Sequence, residues 1–264
     1  MKISEITCFL ETLAPLVLQE DYDNSGLIVG SAGEDCQNAL ISLDTTEAII
    51  EEAVHKGCNL VISHHPLIFR GLKQVNRSTG TGRAIIKAIK NGVSVYAIHT
   101  NLDNVLAGVN GTIADKLGLV NRRFLLPKMD SGKEGIPGSG LIGEMPEPLS
   151  EKQFLDQIRQ QFRIPVIRHS SLTGRPVRRV ALCGGAGSFL ITNALSAEAD
   201  FFITADIRYH EFFEAQGQLV IADIGHFESE QFSIDLLYNA ILNKFPNFAV
   251  LKAGTATNPV HYYL

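Results

Sequence analysis

Apolar residues along the first half of the chain fall into short runs that alternate with amphipathic stretches. Ile6, Leu10, Leu13 and Val17 recur at helical spacing, which predicts a helix over residues 3–18. A polar loop, Asp21-Tyr22-Asp23-Asn24-Ser25-Gly26, precedes the apolar run Leu27-Ile28-Val29-Gly30. Ala39–Leu43, Asn59–Ser63 and Val93–Ile98 are continuous apolar runs, the pattern of strands covered on both faces of a parallel sheet. Between them lie expected helices over about 46–56, capped by Thr45 or Thr46 and closed by Gly57, and over 79–91, ended by Gly92. A helix over 110–117 ends at Gly118.

The pattern changes over residues 127–150, where Pro127, Pro137, Pro146 and Pro148 stand among several glycines. This is the expected domain crossing. A second set follows, with helix 150–162, strand 178–183, a Gly-rich turn, helix 188–198, strands 200–203 and 219–223, and a last helix over roughly 228–244. The reading is of an α/β protein with mostly parallel sheets flanked by helices.

Polar residues gather where strands end. Asp44-Thr45-Thr46, Ser63-His64-His65-Pro66 and His99-Thr100-Asn101-Leu102-Asp103 each follow an apolar run, and Asp223-Ile224-Gly225-His226 follows a fourth, with Glu230 four residues on. Sites in open parallel sheets collect beyond the carboxyl ends of strands, so adjacent strands would bring these clusters together. Imidazole nitrogen and carboxylate oxygen suit Zn, Mn, Fe or Ni without distinguishing them. His226 and Glu230 at a helix start share one face. Five donors exceed what one catalytic zinc with an open position takes, and suit a pair of ions about 3.5–4 Å apart. The expected ligands of two divalent ions per chain are therefore His64, His65, Asp103, His226 and Glu230. Singly, a His-His pair reads better as a helix-capping or surface pair and an H-x-x-x-E as a solvated pair; the joint pattern at strand ends favours metal.

Those motifs carry a resemblance. Ser63–Phe69, His99–Asp103 and Asp223–Glu230, with Asp23–Leu27 and Thr204–His210, resemble in order the family named GTP cyclohydrolase 1 type 2 homologues, over nearly the whole chain. Ala205 departs from the glycine of many members. The resemblance implies two interlinked α/β domains, with residues 1–127 plus 217–264 in one and 128–216 in the other, a ring-shaped homohexamer with dinuclear metal sites, the five ligands above, and the short form of the family. It also implies a cyclohydrolase-type hydrolysis of a nucleotide or related small molecule.

His99 and His210 are the candidate proton carriers, and Asp206 could pair with His210. The alternative function is non-enzymatic, as a metal-binding, metal-chaperone or scaffold protein. Gly138–Gly143 matches G-x-G-x-x-G without the strand–turn–helix context of a dinucleotide site, and reads as a strand. Gly184-Gly185-Ala186-Gly187-Ser188 reads as a tight turn whose amides could otherwise hold an anion. His55, His169 and His261 lack supporting context.

A net charge of −5 with no basic run argues against nucleic acid as a partner. No stretch reaches the roughly 20 apolar residues of a membrane helix, and Glu5 and Glu11 interrupt any signal-like start, so a cytoplasmic protein is expected. Cys8, Cys36, Cys58 and Cys183 stand far apart, as expected of buried, reduced thiols.

Overall fold

The computed structural model describes residues 1–128 and 137–263. In chain order it begins with α1 (Ile3–Leu13), β1 (Gly26–Val29), β2 (Asn38–Ser42), α2 (Glu47–His55), β3 (Leu60–Ser63), α3 (Gly80–Lys90), β4 (Ser94–Ala97) and α4 (Thr100–Asp103). It continues with α5 (Val109–Leu117), β5 (Val120–Pro127), β6 (Gly138–Leu149), α6 (Glu151–Phe162), β7 (Arg168–His169) and β8 (Val177–Ala186). The last elements are α7 (Ile191–Ser196), β9 (Phe201–Ala205), β10 (Val220–Asp223), α8 (His226–Glu230), α9 (Ser233–Lys244) and β11 (Ala249–Lys252).

One unit comprises Met1–Leu102 with Ser233–His261. Its five-stranded sheet has the order β1-β4-β3-β2-β11. β11, β2, β3 and β4 run parallel, and only the edge strand β1 is antiparallel. Leu40, Val61 and Val95 pack with Ile49 and Ile50 of α2 and Ile85 of α3 into one core cluster, while α9 packs against β2 and β11. Thr46 and Thr79 accept hydrogen bonds from the amides of Ile49 (3.3 Å) and Gly82 (3.0 Å), fixing the starts of α2 and α3. α1 stops short of the predicted 3–18 because Pro15 cannot donate a helix bond and disfavours helical backbone before it.

The other unit comprises Asp103–Phe232 and the residues from Tyr262. Its six-stranded sheet has the order β5-β6-β8-β9-β10-β7. β8, β9 and β10 are parallel, whereas β5, β6 and β7 pair antiparallel. This sheet is thus more mixed than expected: β5 and β6 are close in sequence, with ten residues between them, and pair antiparallel as sequence neighbours commonly do. Phe202, Ile221, Leu190 and Ile191 lie in its core, and α5 packs on β6 and β8.

This unit begins and ends outside the expected 128–216. The reason is pairing: β5 and β10, which that division would separate from it, are both strands of its sheet. Part of the expected crossing, residues 129–136, lies outside the described residues. The single helix expected over 228–244 is two, with α8 in this unit and α9 in the other. Gly138–Gly143 lies in β6, as a strand. No helix among the described residues is long and apolar enough to cross a membrane. All four cysteines are free thiols; three are buried, but Cys8 is exposed on α1, contrary to the expectation for all four.

Candidate metal-binding site

The parallel register of β2, β3 and β4 decides what lies at one edge of the first sheet. Ser42 pairs with Ser63, and Ser63 with Ala97, so the three strands end level. Asp44, His64-His65 and His99 follow those ends, and the expected convergence occurs. His64 is fully buried and His65 nearly so. One ring nitrogen of each of His64, His65 and His99 lies within 4.8 Å of the others.

Each ring is held through Nδ1. His64 Nδ1 donates to the Ile98 carbonyl (2.9 Å), His65 Nδ1 to Asp44 Oδ1 (2.7 Å) and His99 Nδ1 to Asp23 Oδ1 (2.8 Å). A carbonyl and a carboxylate can only accept, so the nitrogen they contact carries the proton and the neutral ring keeps its lone pair on Nε2. Asp44 is itself tied to Thr257 Oγ1. Burial works against charge on Asp23, yet His99 and Thr100 hold its carboxyl far below the usual carboxylate range.

In the second unit, β8, β9 and β10 present the same kind of edge. Asp206, just beyond β9, adopts a left-handed φ of 57°, and its Oδ2 accepts from His226 Nδ1 at 2.8 Å. Asp223 Oδ2 accepts from the Ile207 amide (3.1 Å) and from Arg168 (3.0 Å), steadying the segment that carries Asp206. His226 and Glu230 lie one turn apart on α8, with Nε2 and Oε2 3.1 Å apart. Burial opposes a charge on His226, but Asp206 and Glu230 push its pKa up to about 11. In the metal-free protein a cation therefore sits between two carboxylates. Asp103, the last residue of α4, offers an oxygen within 4.8 Å of one from Glu230.

The Gly-rich turn after β8 is used internally. The Gly184 amide donates to Asn110 Oδ1 (2.9 Å) and the Gly185 amide to Ser229 Oγ (3.0 Å), so these two donors secure α5 and α8 instead of an anion. Asn110 Nδ2 also donates to the Asp103 carbonyl (3.0 Å). A side chain at Gly185, whose φ is 62°, would fall on Glu230 Oε1.

Asp206 pairs with His226, not with His210. His210 is exposed and lies against the rings of Tyr209 and Phe213. His55, His169 and His261 belong to none of the candidate metal groups among the described residues. Sequence reasoning did not identify the carboxylates that orient the rings, Asp23 and Asp44, although both stood in polar clusters that it singled out. Asp206 had been assigned the wrong partner. The donors present, imidazole and carboxylate with their far sides braced, are the set a divalent transition metal takes.

A family model described as Duf34/NIF3 (NGG1p interacting factor 3) matches residues 1–259. A protein of Clostridium perfringens named GTP cyclohydrolase 1 type 2 homolog is 34% identical over 232 residues, 87% of either chain. One of Clostridium acetobutylicum with the same name is 31% identical over 258 residues, covering 97% of this chain and 94% of its own. The crystal structure of a hypothetical protein of Staphylococcus aureus superposes with a TM-score of 0.90 at 27% identity, covering 100% of this chain and 99% of that one.

Proposed function

The chain belongs to the Duf34/NIF3 family, and from that premise we propose that His64, His65, Asp103, His226 and Glu230 hold a pair of divalent ions used for hydrolysis of a nucleotide or related small molecule. The observation that carries the metal reading is the bracing of the three histidines of this set: His64, His65 and His226 each donate Nδ1–H to a group that can only accept. Bracing of this kind fixes tautomer and ring direction in histidines that ligate metal.

Bound divalent ions would supply Lewis acidity toward a phosphoryl, carbonyl or ring-carbon centre. The chain's own part is to hold the donors still. Asp44 keeps the His65 proton on Nδ1, the Ile98 carbonyl does so for His64, and Asp206 turns His226 toward Glu230. The nucleotide substrate is inferred from the name that the relatives carry. The resemblance further supports assembly as a homohexameric ring.

Metal-loaded protein assayed against GTP and a panel of phosphoesters tests the catalytic half of the proposal. Turnover is expected, with a loss of about 100-fold or more in a His65→Ala variant, as follows removal of a group that stabilises developing charge. Turnover no higher than that of the variant would leave a metal-holding protein and overturn the hydrolase.

A further inference from the structure

The first unit holds three imidazoles together, one more than the five-donor set uses. The His99 ring centroid lies 5.2 Å from that of His64 and 5.3 Å from that of His65, with the planes steeply inclined at 75° and 83°. His99 is braced as the other two are, by an acceptor at Nδ1. Its brace is more built than theirs. The Asp23 side chain is completely buried. Its Oδ2 accepts from the Thr100 amide (3.0 Å) and from Ser25 Oγ (3.1 Å), while the His99 amide donates to Asn101 Oδ1 (3.0 Å). Burying a carboxylate costs several kcal/mol before its partners repay it, a large outlay for a ring that only fills space. With Nδ1 protonated, the lone pair of His99 is on Nε2, which makes no hydrogen bond among the described residues.

We propose that His99 is a metal ligand, so that His64, His65 and His99 form a three-imidazole site for a divalent cation within the first unit alone. This rests on the metal reading above and adds a donor to it. Three neutral nitrogen donors with further positions open match the composition of three-histidine zinc sites. Such a set prefers borderline ions such as Zn or Ni over Mg or Mn, which favour oxygen. It also gives His99 a ligand's role in place of the proton carrier's.

The test uses the full chain and zinc. A variant carrying Asp103→Asn, His226→Gln and Glu230→Gln together should still bind one Zn(II) per chain. Adding His99→Gln should weaken that binding by about 100-fold or more, since even outer partners of metal-bound histidines are worth about 10–100-fold. Unchanged affinity on adding His99→Gln overturns the proposal. Should the multiple variant fail to fold, the Zn(II)-loaded wild-type structure decides: an anomalous peak about 2.0–2.1 Å from His99 Nε2 is expected. Two ions with His99 more than 3 Å from either would sink the three-imidazole site and leave the five-donor reading standing. No ion at all would sink both.

Discussion

Gly185 shows how a single residue can carry a site without supplying a donor. Its positive φ and its closeness to Glu230 leave no room for a β-carbon. Gly185→Ala is expected to push the Glu230 carboxylate aside and weaken metal affinity about tenfold or more, read by calorimetric zinc titration; undiminished affinity would show that Glu230 has space to spare. At this scale the donors were legible, because His-His, His-x-x-x-Glu and the aspartate after His99 each stood at the end of an apolar run. The orienting carboxylates were not. Asp23 lies 76 positions before the ring it holds, and Asp206 lies four before His210 but hydrogen-bonds to His226, 20 positions on. Sequence proximity favoured the wrong pair, and only the pairing of β9 with β10 brings Asp206 and His226 together.

The elements that position the clusters are parallel strands, and these were the most readable part of the chain. Continuous apolar runs marked β2, β3, β4, β9 and β10, and threonine and glycine signals marked the helix ends. The strands that went unread are the edge strands β5, β7 and β11, which are largely exposed; β5 and β7 carry arginines, whereas β11 lies in an apolar run, Phe248–Leu251, that sequence reasoning missed. β11 is followed by a segment anchored by α2: Glu52 accepts from the amides of Gly254 (2.7 Å) and Thr255 (2.9 Å) and pairs with Lys56 (2.6 Å). Burial would raise its pKa, but these donors bring it from 4.5 down to about 2. The folded pKa lies below the unfolded one, so the stabilisation is fully present above pH 4.5 and is lost as pH falls from 4.5 to 2. Glu52→Gln should cost about 1.5–3 kcal/mol at neutral pH, the range for hydrogen bonds to a charged acceptor. It should also flatten the stability profile across that window, measured by denaturant melts at several pH values. An unaltered profile would assign the acid dependence to other carboxylates.

At the scale of the whole molecule, the α/β class was readable from the order of strand and helix patterns, whereas the return of the C-terminal segment to the first unit was implied only by the family resemblance. The unit boundaries were less so, because strand pairing sets them: β5 and β10 look like their sequence neighbours but hydrogen-bond into the second sheet. The proposed ring predicts a native mass six times the 28.8 kDa of one chain, measurable by light scattering; a monomer or dimer at micromolar concentration would refute it. The metal pair is the claim on which the rest depends. Elemental analysis of protein purified without chelator addresses it most directly. The account predicts about two divalent transition-metal ions per chain in the wild type, as a dinuclear centre requires, and fewer in Glu230→Ala. A wild-type chain that holds one ion or none would contradict it.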